Sequence, residues 1–178
     1  MNIIVQKFGG TSVSTEDRRK QVAIKVKEAI ENGFTPIVVV SAMGRKGQPY
    51  ATDTLLTLID DKFKEANRKS KDLLMCCGEI ISSVVVANAL YNEGIEAVPL
   101  TGGQAGIITD DNFCEAEYIS IDIDRLLSVL REGKVPVVTG FQGITKDGYF
   151  TTLGRGGSDT TACILGNGVK AKEIEIYT

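Results

Sequence analysis

The sequence predicts an α/β fold, a three-layer αβα sandwich in which helices cover both faces of a mainly parallel β-sheet. Two features of the chain indicate this fold. The first is an alternation of short runs rich in Val and Ile with longer helical segments, since nearly continuous apolar runs are typical of strands buried on both faces. The second is the length of 178 residues, which suits one domain with a single core.

β-Branched residues predict five strands, at residues 2–8, 36–41, 97–100, 135–139 and 173–177. A hairpin is predicted as well, because the turn-forming residues Lys146, Asp147 and Gly148 separate two further β-prone segments, 142–145 and 149–152. No internal repeat, low-complexity tract or Pro-rich linker divides the chain, and residues 45–51 are its most loop-like stretch.

Helices are predicted at residues 16–32, 69–92, 123–131 and 159–166. The residues before the first helix offer several N-caps, one of which is a capping box from Ser14 to Asp17. The second is apolar on most of its sides between Leu73 and Leu90, so it is predicted to lie in the interior. The charged segment 62–71 is expected to face solvent.

Composition excludes several classes of function. Hydrophobic residues make up 43% of the chain and charged residues 24%, as in ordinary globular proteins, and the net charge of −3 argues against a nucleic-acid partner. No apolar run approaches the roughly 20 residues that span a bilayer, so no membrane partner is expected. The N-terminus lacks the pattern of a signal peptide, and a cytoplasmic protein is predicted.

Histidine is absent from the sequence, which excludes a Ser-His-Asp or Cys-His nucleophile within this chain. The four cysteines form no C-x-x-C pair, so neither a structural zinc site nor a disulfide framework is expected. The chemistry must therefore use Lys, Arg, Asp, Glu, hydroxyl groups and backbone amides.

Glycine-rich turns follow four of the predicted strands, and a fifth glycine-rich stretch, 154–161, precedes a helix. Glycine lets backbone N–H groups approach an anion, and ligands of open α/β sheets bind at the carboxyl ends of the strands. The repetition favours a phosphate or carboxylate site. The phosphate-binding pattern G-x-x-x-x-G-K-[ST] is absent, and a G-x-G-x-x-A match at 166–171 follows a helix, so it is interpreted as a helix-ending turn.

Charged residues near these turns allow two interpretations each. Lys7 is either a surface lysine with its ammonium in solvent or a fixed cation for a phosphate. Arg155 is suited to a two-pronged grip on a carboxylate, while Ser158 and Asp159 are either helix caps or ligands. Glu79 lies inside an apolar helix, where an ionised carboxylate needs a partner, either elsewhere in the fold or on a ligand ammonium.

The assembled motifs resemble the aspartate kinases (aspartokinases) of the amino-acid kinase family along the whole chain. The resemblance rests on the segments at 5–13, 38–44, 78–79, 100–106, 140–143 and 152–161. It implies the amino-acid kinase fold and transfer of the ATP γ-phosphoryl group to the β-carboxylate of L-aspartate. The product would be 4-phospho-L-aspartate, on the pathway to lysine, threonine and methionine. Such a reaction needs no general base, because a carboxylate with a pKa near ~3.9 is already ionised at neutral pH.

The same resemblance implies roles for individual residues. Lys7 would stabilise charge on the phosphoryl group, and Asp159 would orient Lys7. The aspartate pocket would comprise Ser41, Thr52, Glu79, Arg155 and Ser158. The ATP site would comprise Lys7, Gly9, Gly10, Gly156, Gly157 and Thr178, with the amides of Gly9 and Gly10 around the phosphates. Mg²⁺ would be carried with ATP, without a metal site built by the protein.

By this resemblance, residues 1–178 form the N-terminal, amino-acid-binding part of a kinase domain. The rest of the nucleotide-binding half and regulatory ACT domains are expected beyond it, so this chain alone is expected to be inactive. The parent protein is expected to be a homo-oligomer. Two alternatives remain, another enzyme of this fold acting on glutamate or N-acetylglutamate, and a non-catalytic binding or assembly module.

Overall fold

A computed structural model describes residues 1–154 and 156–178. The helices are α1 (Glu16–Glu31), α2 (Thr52–Leu55), α3 (Asp61–Ala66), α4 (Arg68–Asn92), α5 (Asp124–Arg131) and α6 (Gly157–Gly168), with a 3₁₀ turn at Leu56–Leu58. The strands are β1 (Ile3–Phe8), β2 (Thr35–Val40), β3 (Ala97–Leu100), β4 (Ile107–Thr109), β5 (Tyr118–Ile121), β6 (Val135–Thr139), β7 (Gln142–Ile144), β8 (Phe150–Thr152) and β9 (Glu173–Tyr177).

The main sheet contains five strands in the order β3-β6-β2-β1-β9, and every neighbouring pair in it is parallel. All five are strands that the sequence predicts. They alternate with helices that pack on both faces, so the predicted three-layer α/β architecture is confirmed.

Two apolar clusters, one on each face of the sheet, hold the layers together. Ile3, Val5, Ile37 and Val39 pack with residues of α5 and α6, including Leu126 and Leu165. On the opposite face, strand residues pack with α1 and α4 residues: Phe8, Val38, Val40, Val22, Val26, Val86 and Leu90. Because side chains alternate along a strand, Lys7 lies on the α6 face with Ile3 and Val5.

A second sheet of four short strands, in the order β5-β4-β7-β8, lies beside the first. Its β7–β8 hairpin is antiparallel and corresponds to the predicted hairpin. Strands β4 and β5 and helices α2 and α3 are absent from the sequence prediction. They are only three to six residues long, which leaves too few positions for a periodic apolar pattern.

Helix α1 begins one residue later than the predicted capping box. Its N-cap is Thr15, whose hydroxyl accepts a hydrogen bond from the N–H of Arg18. The hydroxyl of Ser14 instead donates to the carbonyl oxygen of Thr11. Of the N-caps that the sequence offers, the structure uses Thr15, and the Ser14–Asp17 capping box does not form because the Ser14 side chain is used in the preceding turn.

Helix α4 is only partly interior, contrary to the sequence prediction. Leu73, Val84 and Tyr91 are more than half exposed along one side, while the other side packs against β3, β6 and β8. By length and composition alone α4 could cross a membrane, with a mean hydropathy of 1.9 over 18 residues. Within those 18 residues, 44% are buried by the rest of the domain. Two of the buried side chains on α4 are the carboxylates of Asp72 and Glu79, and they face the domain rather than the exposed side of the helix.

Candidate functional site

A cleft of about 450 Å³ opens at the carboxyl ends of β1 and β2, beside the first turn of α6. The two strands are neighbours, so the glycine-bearing segments that follow them meet at one edge of the sheet. Residues from the β1–α1 turn, the β2–α2 loop, α4 and α6 all line this cleft. One shared cavity thus lies at the strand ends, where the sequence predicts a site.

Lys7 and Asp159 form an ion pair in this cleft, with 2.8 Å between Nζ and Oδ1. The Lys7 side chain is 9% exposed, whereas that of Asp159 is 54% exposed. Asp159 lies in the first turn of α6, where a carboxylate is favoured by the helix dipole. The interpretation of Lys7 as a surface lysine is wrong, because β1 directs it towards α6 and buries it.

Glu79 lines the opposite part of the cleft from α4 and is 3% exposed. Its Oε1 accepts a hydrogen bond from the N–H of Ala42 at 3.3 Å, and its Oε2 has no hydrogen-bond partner among the residues that the structure describes. Burial raises the pKa of Glu79 to about 8, because desolvation disfavours the ionised form. A cationic group brought next to this carboxylate would restore its charge.

Ser41, Thr52 and Ser158 also line the cleft, as the resemblance implies for the amino-acid pocket. Ser41 follows β2, and its hydroxyl donates to the hydroxyl of Ser158 at 3.0 Å across the cleft. Thr52 is the first residue of α2. Hydroxyl donors and acceptors therefore surround the space next to Glu79.

The glycines of the β1–α1 turn have different surroundings. A Cβ on Gly10 would lie 2.6 Å from the carbonyl oxygen of Ala42 and 2.8 Å from that of Gly44, so the β2–α2 loop requires glycine there. The N–H of Gly9 donates to the carbonyl oxygen of Tyr177 at 2.9 Å. The expectation that the amides of Gly9 and Gly10 both face phosphates is therefore corrected, since that of Gly9 is already paired.

Three other residues assigned to ATP lie in different places. Gly156 and Gly157 line the cleft where α6 begins. Thr178 lies outside it, beside Gly9 and a second hollow near Tyr177. Arg155 lies outside the described residues.

Sequence reasoning missed three charged residues that line the cleft, Arg45, Lys46 and Asp53. Arg45 is held in place by its Nε, which donates to the hydroxyl of Thr11 at 3.2 Å. The sequence does contain a feature that could have indicated them, since the adjacent cations Arg45 and Lys46 directly follow Gly44, in the glycine-bearing segment after β2. The loop-like composition of residues 45–51 obscures that signal.

The lining of the cleft suits an anion beside a cation. Within the described part of the chain it carries three cationic side chains, Lys7, Arg45 and Lys46, and three carboxylates, Asp53, Glu79 and Asp159. No group of three or more Cys, Asp or Glu side chains suitable for a metal ion occurs in residues 1–154 and 156–178. A polyphosphate would thus be met by Lys7, the Gly10 turn and the α6 N-terminus.

Comparisons with known proteins give one family. The profile of the amino acid kinase family matches residues 2–178. Among curated proteins, Aspartokinase 1 of Bacillus subtilis is 51% identical over 178 residues, covering all of this chain and 44% of that protein. The aspartokinase of Geobacillus stearothermophilus is 44% identical over all of this chain and 42% of its own length. The chain therefore spans less than half the length of these relatives.

Solved structures agree with this fold. An aspartate kinase from Synechocystis superposes with a TM-score of 0.77 at 42% identity, covering 98% of this chain and 28% of that one. An isopentenyl phosphate kinase at 19% identity superposes with a TM-score of 0.71, covering 98% of this chain and 72% of that one, and shows only that the fold is shared.

Proposed function

Since this chain belongs to the amino acid kinase family, we propose that the protein carrying it transfers the γ-phosphoryl group of ATP to the β-carboxylate of L-aspartate. The product is 4-phospho-L-aspartate. The observation that carries the proposal is one cleft that holds both a buried ammonium, at Lys7, and a buried, incompletely paired carboxylate, at Glu79. Its similarity to several aspartokinases supports the choice of aspartate.

Glu79 accounts for recognition of the substrate's amino group. A buried carboxylate with one hydrogen bond gains most from a ligand that brings a positive charge. L-Aspartate and L-glutamate bring an ammonium, whereas N-acetylglutamate brings a neutral amide and would leave the charge uncompensated. The geometry thus favours a free amino acid over an acylated one.

The hydroxyls of Ser41, Thr52 and Ser158 orient the bound amino acid, and Arg155 grips one of its carboxylates. Ser41 and Ser158 already share a hydrogen bond, so their two hydroxyls lie side by side on the wall of the substrate space. Fixed donors of this kind hold a carboxylate in line with the phosphorus atom, which is the larger part of catalysis in phosphoryl transfer.

Lys7 stabilises the negative charge that develops on the transferring phosphoryl group. Asp159 is the residue that orients Lys7, because its carboxylate holds the ammonium at 2.8 Å before any ligand arrives. The amide of Gly10 and the turn before α6 at Gly156 supply further donors to the phosphates. The N–H of Gly157 already donates to the carbonyl oxygen of Gly154 at 3.2 Å, so Gly157 contributes to the ATP site through the close approach that its missing side chain allows. The attacking carboxylate is already ionised, so no residue is needed as a base.

ATP is the phosphoryl donor, and Mg²⁺ enters with it and neutralises phosphate charge when bound. Residues 1–178 act as the N-terminal, amino-acid-binding part of the kinase domain, and Thr178 contributes to the nucleotide side. The protein works in the cytoplasm as a homo-oligomer. These assignments extend the family membership and rest on the same resemblance.

A steady-state assay of the complete natural protein tests the proposal with MgATP and three acceptors: L-aspartate, L-glutamate and N-acetyl-L-glutamate. Acyl phosphate is trapped with hydroxylamine. Aspartate should give the highest kcat/KM, with glutamate lower by roughly 10–200-fold because it carries one extra methylene. Turnover with glutamate or N-acetylglutamate but not with aspartate would overturn the assignment. Absence of any acyl phosphate would favour a non-catalytic binding module.

A further inference from the structure

Asp72 is a second fully buried carboxylate on α4, seven residues before Glu79 and outside the cleft. It has no cation within ion-pairing distance in the part of the chain that the structure describes. It accepts three hydrogen bonds instead. Oδ2 accepts from the N–H of Cys114 at 2.9 Å and of Thr152 at 3.1 Å, and Oδ1 accepts from the Thr152 hydroxyl at 2.7 Å.

Thr152 is the last residue of β8 and lies shortly before Gly156, the N-cap of α6. Its carbonyl oxygen accepts from the N–H of Ala116, so every polar group of Thr152 is fixed. The next residue, Leu153, donates its N–H to the carbonyl oxygen of Phe141. The start of the β8–α6 connection is therefore held from several directions, and Asp72 supplies two of the bonds.

The backbone conformation of Cys114 also indicates that Asp72 constrains the chain next to it. Its φ is +74°, a left-handed conformation that is unfavourable for a residue with a side chain. Such a conformation persists when surrounding contacts impose it, and the N–H of Cys114 points to the Asp72 carboxylate.

The same helix also holds the other wall of the cleft. Glu79 accepts from the N–H of Ala42, and Gly78 leaves room for the loop, since a Cβ there would lie 2.8 Å from the Cβ of Ala42. Seven residues of helix correspond to about 10 Å along its axis. Helix α4 thus forms hydrogen bonds with the β2–α2 loop through Glu79 and with the end of β8 through Asp72.

We infer that Asp72 is a positioning residue: by anchoring Thr152, it holds the end of β8, the strand that precedes Ser158 and Asp159 in the chain, at a fixed distance from Glu79. The inference rests on the proposed function, because Ser158 and Asp159 matter only if substrate binds between them and Glu79. Displacement of about 1 Å in such a site reduces the rate by up to about 100-fold.

Two adjacent threonines of β8 offer a matched test. Thr151 and Thr152 are both fully buried, and their side chains point to opposite faces of the strand. The Thr151 hydroxyl shares a hydrogen bond with the Thr109 hydroxyl at 2.6 Å, inside the second sheet, while that of Thr152 reaches Asp72. Thr152→Val and Thr151→Val therefore remove the same group from the same strand, but only the first loosens the anchor.

Kinetics are measured on the complete natural protein, below the unfolding temperature of every variant. Thr152→Val and Asp72→Asn should lower kcat/KM for aspartate by about tenfold or more. Thr151→Val should stay within twofold of the wild type, and Thr152→Ser, which keeps the hydroxyl, should restore wild-type values. If Thr151→Val and Thr152→Val lower kcat/KM equally, or neither does, Asp72 has only a structural role and the inference fails.

Hydrogen exchange of the same variants supplies a readout without substrate. The amides of Leu153 and Gly157 should exchange faster in Thr152→Val and Asp72→Asn than in Thr151→Val. Equal exchange in the two valine variants would overturn the anchor itself. Faster exchange in a protein whose wild type does not phosphorylate aspartate would retain the anchor and refute the proposed function, so the two failures are distinguishable.

Discussion

Replacing Glu79 with glutamine should stabilise the free protein in mild alkali while abolishing aspartate binding. Burial raises the pKa of Glu79 from its ordinary value of 4.5 to about 8. Between these two pH values the folded state retains a proton that the unfolded state has released, so the stability of the wild type falls as pH rises. Above about pH 8 both states are ionised, and the loss levels off.

The size of this effect follows from the two pKa values. Raising the pKa from 4.5 to about 8 corresponds to roughly 5 kcal/mol of lost folding stability once both states are ionised. The side-chain amide introduced by Glu79→Gln cannot ionise in either state, and its carbonyl oxygen can still accept from the N–H of Ala42. Glu79→Gln should therefore exceed the wild type by several kcal/mol at pH 8.5 and by less than about 1 kcal/mol at pH 5.

Differential scanning calorimetry of the complete natural protein can resolve the transition of the domain that contains this chain. The Glu79→Gln variant should unfold roughly 10 °C higher than the wild type at pH 8.5 and within a few degrees of it at pH 5. Glu65→Gln, the same change at an exposed carboxylate of α3, is the control and should match the wild type at both pH values. Equal unfolding temperatures for Glu79→Gln and the wild type at pH 8.5 would refute the account of a strained buried carboxylate.

Aspartate binding should become stronger as pH rises, whereas the stability of the wild type falls, because both depend on the ionisation of Glu79. Only the ionised form of Glu79 attracts an ammonium, and its population grows from about 1% at pH 6 to about half at pH 8. The affinity measured by titration calorimetry should rise roughly 50-fold over that interval and then level off. Affinity that does not change with pH would mean that Glu79 does not meet the amino group.

Two further outcomes follow from the glycine turn and the buried lysine. In the complete natural protein, Lys7→Ala should lower kcat by about 100-fold or more, while Lys27→Ala on the exposed side of α1 leaves it unchanged; a wild-type kcat would remove Lys7 from the mechanism. Gly10→Ala should lower stability by about 1–3 kcal/mol in calorimetry, because the new methyl meets two backbone oxygens at 2.6 and 2.8 Å. Gly9→Ala, whose nearest contact is at 3.4 Å, should be tolerated, and equal losses for the two would contradict the packing argument.

The main sheet could be predicted from the sequence because most of its strands are runs rich in Val or Ile. Strands β4 and β5 could not, since they are short and β5 is exposed along most of its length. Pairing with distant residues, rather than local composition, makes them strands. The N-cap of α1 shows the same limit on a smaller scale, because Ser14 and Thr15 are both good caps and the contact of Ser14 with Thr11 selects between them.

Within the site, charged residues in apolar segments were the most informative signal. Lys7 and Glu79 each interrupt a run that is otherwise buried, and both prove to be buried at the cleft. The pairing of the Gly9 amide could not be foreseen, because it depends on β9 lying parallel to β1 with Phe8 opposite Tyr177. A glycine-rich turn in a sequence shows where backbone can approach an anion, but not which amides remain free to bind it.

The two buried acids of α4 show how structure separates a scaffold role from a ligand role. In the sequence, Asp72 directly follows the charged segment 62–71, whereas Glu79 lies in the apolar part of the same helix. Asp72 accepts three hydrogen bonds from a neighbouring sheet and loop, so the fold itself compensates for its burial. Glu79 accepts a single long one, and the resulting instability is the strain that a bound ammonium would relieve. The hydrogen-bond donors to these carboxylates belong to residues 42, 114 and 152, which lie outside α4. The sequence of the helix therefore does not show which acid is fully hydrogen-bonded, and the number of bonds that each accepts in the structure does.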